Sequence, residues 1–101
     1  MRTIILDRNP SITNWLKAQG VSGELVSTIG FREALNNHIY GPCALGLACV
    51  ASQVSMVRMP RLDALTHKRY ISGELSVEEM TKLGAHLRTY TVQQVGGPGH
   101  H

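Results

Sequence analysis

Asp7-Arg8-Asn9-Pro10-Ser11 gathers a guanidinium, an amide and a hydroxyl in one short run, and that set suits a phosphodiester. Arginine forms paired N–H···O bonds to phosphate oxygens, which gives it both charge and geometry for the task. The run falls between an apolar segment and a helix-like one, so it marks a strand-to-helix junction. In open α/β sheets ligands settle beyond the carboxyl ends of the strands, and helix N-termini there attract anions. The plainer account is an ordinary turn, in which Asp and Asn favour the bend and Ser11 caps the helix.

A second junction of the same kind is Gly41-Pro42-Cys43-Ala44. Glycine there permits close approach of a ligand to the backbone. The G-x-G-x-x-G and G-x-x-x-x-G-K-[ST] fingerprints are both missing, which argues against a dinucleotide or P-loop site. Cys43 would be nucleophilic only with its thiolate stabilised, and no acid–base partner adjoins it in sequence, so packing is the expected role. Arg58, Arg61, Lys68 and Arg69 against Asp63 give one segment a charge of +3, as much as the whole chain carries. Such a cluster reads either as a solvated loop or as an anion-facing one. His38, His67 and His86 are scattered, and Cys43 with Cys49 cannot build a metal framework. No metal and no cofactor is expected.

The elements that must position these groups follow from periodicity. Ile4, Ile5 and Leu6 read as a strand, and Ile12, Trp15 and Leu16 share one face of a helix that stops at Gly20. Trp15 is expected in the core. Glu24 to Ile29 reads as a second strand, Phe31 to Asn37 as a short helix, and His38 to Tyr40 as a third strand. Cys43 to Ala51, small and apolar throughout, predicts a buried helix that Gly46 lets lie close to the sheet. Val54 to Met59 reads as a fourth strand closed by Pro60. Arg61 to Gly73 is undecided between a helical turn at Leu62 to Thr66 and a short strand at Tyr70-Ile71. Ser76-Val77-Glu78-Glu79 is a capping box, Gly84 a helix stop, and His86 to Val92 a final strand. The order predicts an α/β protein: a small single-domain Rossmann-like sheet flanked by helices.

Length and composition agree. The chain has 101 residues, 43% hydrophobic and 17% charged, which fits one packed domain rather than disorder. That domain is expected to span residues 1–95, with 96–101 a linker and tag remnant. No apolar run approaches the roughly 20 residues of a membrane span, and no leader is evident, so a soluble cytoplasmic protein is expected.

Three stretches resemble a known family, the small CRISPR-associated proteins called Csx-sixteen. These are ring nucleases of type III systems related to the CARF (CRISPR-associated Rossmann fold) domain. Arg8-Asn9-Pro10-Ser11 through Trp15 and Gln19-Gly20 resembles the family's R-H-P-G-x-x-x-W…Q-G opening. The segment from Tyr40 to Ala48 is similar to its G-T-L-P-V-H-L-A segment. Gly73 to Met80, followed by Gly84-Ala85-His86-Leu87 and Tyr90, resembles its E-L-S-x-E-E-M…G-A-R-L…Y ending. The departures are Asn9 and Gly46, where the family pattern has histidines, and a longer stretch between Pro60 and Glu74.

The resemblance implies a CARF-like homodimer that binds cyclic tetra-adenylate, a cyclic RNA messenger of antiviral defence, and cleaves it without metal by attack of a ribose 2′-OH. It implies Arg8 as the group that stabilises phosphoryl charge, with Asn9 and Ser11 orienting. Gly41, Pro42 and Cys43 would line the ligand, and Arg58, Arg61 and Lys68 would close over it. Neither a membrane nor duplex nucleic acid is an expected partner. Two other readings stay open: a non-catalytic module that sequesters the messenger, and an anti-CRISPR-type ring nuclease. The latter group shares the S-x-I-G pattern of Ser27-Thr28-Ile29-Gly30, but has a histidine where this chain has Phe31.

Overall fold

A computed structural model describes residues 1–95; the proposed linker and tag at 96–101 lie outside the described residues. The elements run β1 (Thr3–Leu6), α1 (Pro10–Ala18), β2 (Glu24–Val26), α2 (Phe31–Ala34), β3 (His38–Tyr40), α3 (Leu45–Val50), β4 (Gln53–Arg58), α4 (Ala64–Ile71), α5 (Val77–Leu83) and β5 (His86–Tyr90). The strands form one sheet in the order β2-β1-β3-β4-β5. The first four strands are parallel, and β5 runs antiparallel to β4. The α/β sheet flanked by helices is the architecture expected from the sequence. None of the helices among the described residues is long and apolar enough to cross a membrane.

Parallel strands covered on both faces read as unbroken apolar runs, and β1 is such a strand. Ile4, Ile5 and Leu6 are all buried. Successive side chains leave the sheet on opposite faces, so Ile5 and Leu6 belong to different cores. Ile5 packs with Trp15, Leu16, Leu75 and Met80 under α1, α4 and α5. Leu6 packs with Ala34, Ile39, Ala48 and Val54 under α2 and α3. Complete burial of a side chain such as Leu16 contributes about 1.5–3 kcal/mol.

Several local expectations change. Asn9, not Ser11, caps α1: its Oδ1 accepts the N–H groups of Ser11 and Ile12. Pro10 takes the first helical position, where its fixed φ suits the turn and its missing N–H is no loss. Strand β2 ends at Val26 instead of Ile29, and α2 ends at Ala34. Asn36, in the left-handed region at φ 60°, and the Asn37 amide on the Glu33 carbonyl close α2. The predicted buried helix Cys43–Ala51 shrinks to α3. Its Leu45 is 75% exposed, Ala48 is its one buried residue, and nothing lies near Gly46, so close packing there is not found.

Beyond β4, the undecided segment contains α4, capped by Asp63, whose carboxylate accepts the Thr66 N–H at 2.7 Å. Tyr70 and Ile71 are its last turn and not a strand. The capping box at Ser76 and Glu79 forms as expected, and Gly84 closes α5 at φ 95°. Strand β5 stops at Tyr90, two residues early.

Candidate functional site

The chain leaves β1 towards β2 on one side and leaves β3 towards β4 on the other. A crevice opens where the two directions diverge, beyond the carboxyl ends of β1 and β3. Ile5 pairs with Tyr40, so β1 and β3 run side by side into the Arg8 turn and Gly41-Pro42. Strand β4 pairs with β3 and ends at Arg58, so Arg8, Gly41, Pro42 and Arg58 share one edge of the sheet.

Arg8 is exposed at that edge. Its Nε donates to the Ser27 carbonyl at 2.9 Å, tying the exit of β1 to the exit of β2 and leaving the terminal guanidinium nitrogens for a ligand.

Its neighbours have other work. Asn9 accepts from the first turn of α1 and donates through Nδ2 to the Tyr70 carbonyl at 3.0 Å. Ser11 is 1% exposed; its Oγ donates to the Leu75 carbonyl and accepts the Leu75 N–H, both at 2.9 Å. Both side chains therefore fasten α4 and the start of α5 onto α1. The supposed anion site at the helix start changes with them. Pro10 has no N–H, the Ser11 and Ile12 N–H groups bond Asn9 Oδ1, and the Thr13 N–H bonds the Asn9 carbonyl.

Gly41 also answers to its own chain. Its φ is 129°, and a Cβ added there would lie 2.8 Å from Leu6 Cβ. The glycine lets β1 and the β3–α3 turn pack, whatever binds above them. Pro42 is exposed and Cys43 half-buried; burial pushes the Cys43 thiol pKa up, away from a reactive thiolate. This turn separates two cavities. One of about 150 Å³ lies on the α1–α4 side, lined by Gly41, Pro42, Ile12, Ser55 and Tyr70. The other, about 300 Å³, lies on the α3 side and includes Cys43 and Arg58.

Arg58, Arg61 and Lys68 are exposed. Arg69 leaves the predicted cationic cluster, because its guanidinium forms a two-pronged pair with Glu79 at 2.8 and 3.0 Å. That bond holds the Glu79 carboxyl down from its ordinary 4.5 to about 2, helped by the Ser76 N–H.

One constellation was not anticipated. His38 Nε2 lies 2.6 Å from Ser55 Oγ, which lies 2.7 Å from Thr89 Oγ1, joining β3, β4 and β5. The His38 ring stacks on Tyr40 at 4.4 Å, and burial lowers its pKa. An imidazole on a hydroxyl is the geometry of base and nucleophile. With Ser55 1% exposed, however, the contact satisfies a polar group inside the sheet. The available signal was Ser55 itself, a hydroxyl at an inward position of an apolar strand; its partners follow only from strand order. His67 and His86 are exposed and apart from this network. Among the described residues, no three His, Cys, Asp or Glu side chains gather as a metal-binding group.

Fold and site define a small doubly wound α/β domain with a cation-bearing switch-point edge. Comparison of the chain with protein families, characterised proteins and solved structures found no match.

Proposed function

We propose that this protein is a cytoplasmic ring nuclease, binding cyclic tetra-adenylate at the switch-point edge and opening it without metal. The observation that supports this is the set of cations at that edge and in the segment beyond it. Arg8 follows β1, Arg58 ends β4, and Arg61 and Lys68 belong to the segment beyond. None of the four has a carboxylate within ion-pair distance among the described residues. A cyclic oligonucleotide presents phosphodiesters around its rim and suits such an edge.

Ring opening requires no atom from the protein. The ribose 2′-oxygen bonds to the adjacent phosphorus as the P–O5′ bond breaks. The 2′-hydroxyl proton passes to solvent and the departing 5′-oxygen takes one up. The products are a 2′,3′-cyclic phosphate and a 5′-hydroxyl. Arg8 would hold the charge on the non-bridging oxygens and keep the reacting atoms in line.

A second reading, binding without cleavage, draws support from the engagement of Asn9 and Ser11 in the fold, which leaves Arg8 without the partners expected for it. Incubation with cyclic tetra-adenylate in chelator separates the two. Linear products establish cleavage, tight binding of intact ring establishes sequestration, and no thermal shift at saturating ligand removes both. Arg8→Ala is expected to weaken binding or turnover at least tenfold while changing unfolding free energy by no more than about 1 kcal/mol. Full activity in that variant would move the site elsewhere.

A further inference from the structure

Helix α3 covers only part of the second face of the sheet. Beside it, β4 and β5 leave the cavity of about 300 Å³, with Val54 and Met56 on its floor and Leu45 and Tyr90 on its walls. The antiparallel register sets Tyr90 opposite Val54, Arg88 opposite Met56 and His86 opposite Arg58, all on this face. Arg58 lines the cavity, and neither it nor Arg88 has a carboxylate partner among the described residues. Thr91 and Val92 form the remaining wall, and because β5 ends at Tyr90 their backbone groups lie outside the strand ladder.

These features specify a ligand. Apolar walls with a half-exposed phenol favour a flat ring, which stacks on Tyr90 and meets the polarisable sulfur of Met56. Strand-end amides and the Thr91 hydroxyl offer hydrogen bonds to a polar ring edge, which an acyl chain would not use. Arg58 calls for a phosphate. The volume is at the lower end of the roughly 300–1,000 Å³ typical of ligand sites, enough for one nucleotide and too little for a whole ring.

We infer that this cavity seats one nucleoside monophosphate unit, its base against Met56 and Tyr90 and its phosphate on Arg58. The inference shares Arg58 with the function proposed above, and in that respect rests on it. The unit is either a free nucleotide or one residue of the cyclic messenger.

The test is NMR titration of the full chain, with labelled methionine methyls and backbone amides, against AMP, adenosine and ribose 5-phosphate. AMP is expected to shift the Met56 methyl and the Thr91 and Val92 amides, and to bind at least tenfold more tightly than either fragment. Arg58→Ala, at an exposed position, is expected to raise the AMP Kd about tenfold, in line with one charge-assisted phosphate contact. Absence of shifts at millimolar AMP, shifts centred on the Arg8 turn, or an unchanged Kd in Arg58→Ala would each overturn the inference.

Parallel titration with cyclic tetra-adenylate separates the sources. Shifts at Met56 with both ligands place one unit of the ring in the seat. Shifts with AMP alone leave the seat standing as a mononucleotide site and remove the messenger reading. Ring binding without AMP binding does the reverse.

Discussion

Ser11 and Arg8 lie three positions apart and divide the candidate site into what builds the turn and what stands exposed at its edge. The Ser11 hydroxyl both donates to and accepts from the backbone of Leu75, itself 4% exposed. Ser11→Ala would leave that buried N–H and carbonyl unpaired, at about 1–3 kcal/mol for a group stripped of its partner. Urea denaturation should therefore show a lower midpoint at unchanged slope, while affinity for cyclic tetra-adenylate at a temperature well below unfolding stays at the wild-type value. Loss of affinity without loss of stability would return Ser11 to the site. Sequence alone presented Ser11 as the cap and Asn9 as part of the bend, and the Pro10 between them decides the matter for Asn9, because proline is favoured at the first helical position. The engagement of Asn9 was not legible, since its other partner, the Tyr70 carbonyl, is 61 residues away.

At the scale of elements, legibility follows how local the determinants are. Strand β1 announces itself by three consecutive apolar residues, and α5 by a capping box and a stop glycine that act within one helix. Helix α4 carries no such signature. None of its residues is buried, Leu65 and Ile71 are 73% and 64% exposed, and no apolar stripe marks it in sequence. It is held instead by contacts at its ends: Asp63 on Thr66, Asn9 on Tyr70, and Arg69 on Glu79. The last of these links α4 to the cap of α5 and has a pH signature. Glu79 titrates near 2 in the folded chain and near its ordinary 4.5 when unfolded. Between those values the unfolded state binds more protons, so the stability contributed is complete above about 4.5 and is lost as pH falls towards 2. Glu79→Gln keeps an acceptor for the Ser76 N–H but carries no charge. Its unfolding free energy should vary less steeply than wild type across that window. Parallel curves for the two proteins would show that the pair contributes nothing to acid stability.

Among the described residues Arg8 and Arg58 lie at one edge of the sheet, and a single copy offers one Arg8 turn to the cyclic ligand proposed for it. A cyclic tetranucleotide has two-fold symmetry, which an isologous pair of chains matches by bringing the same turn to equivalent phosphates. If one ring is shared, calorimetric titration should saturate at half a ligand per chain. Sedimentation should show the complex at dimer mass, and Arg8→Ala, by removing both copies of the contact, should lower affinity more than a single charge-assisted bond accounts for. A heterodimer carrying one Arg8→Ala chain would then fall between wild type and the double variant. Saturation at one ring per chain with sedimentation at monomer mass would exclude the shared site, because each chain would then hold its ligand without a second Arg8.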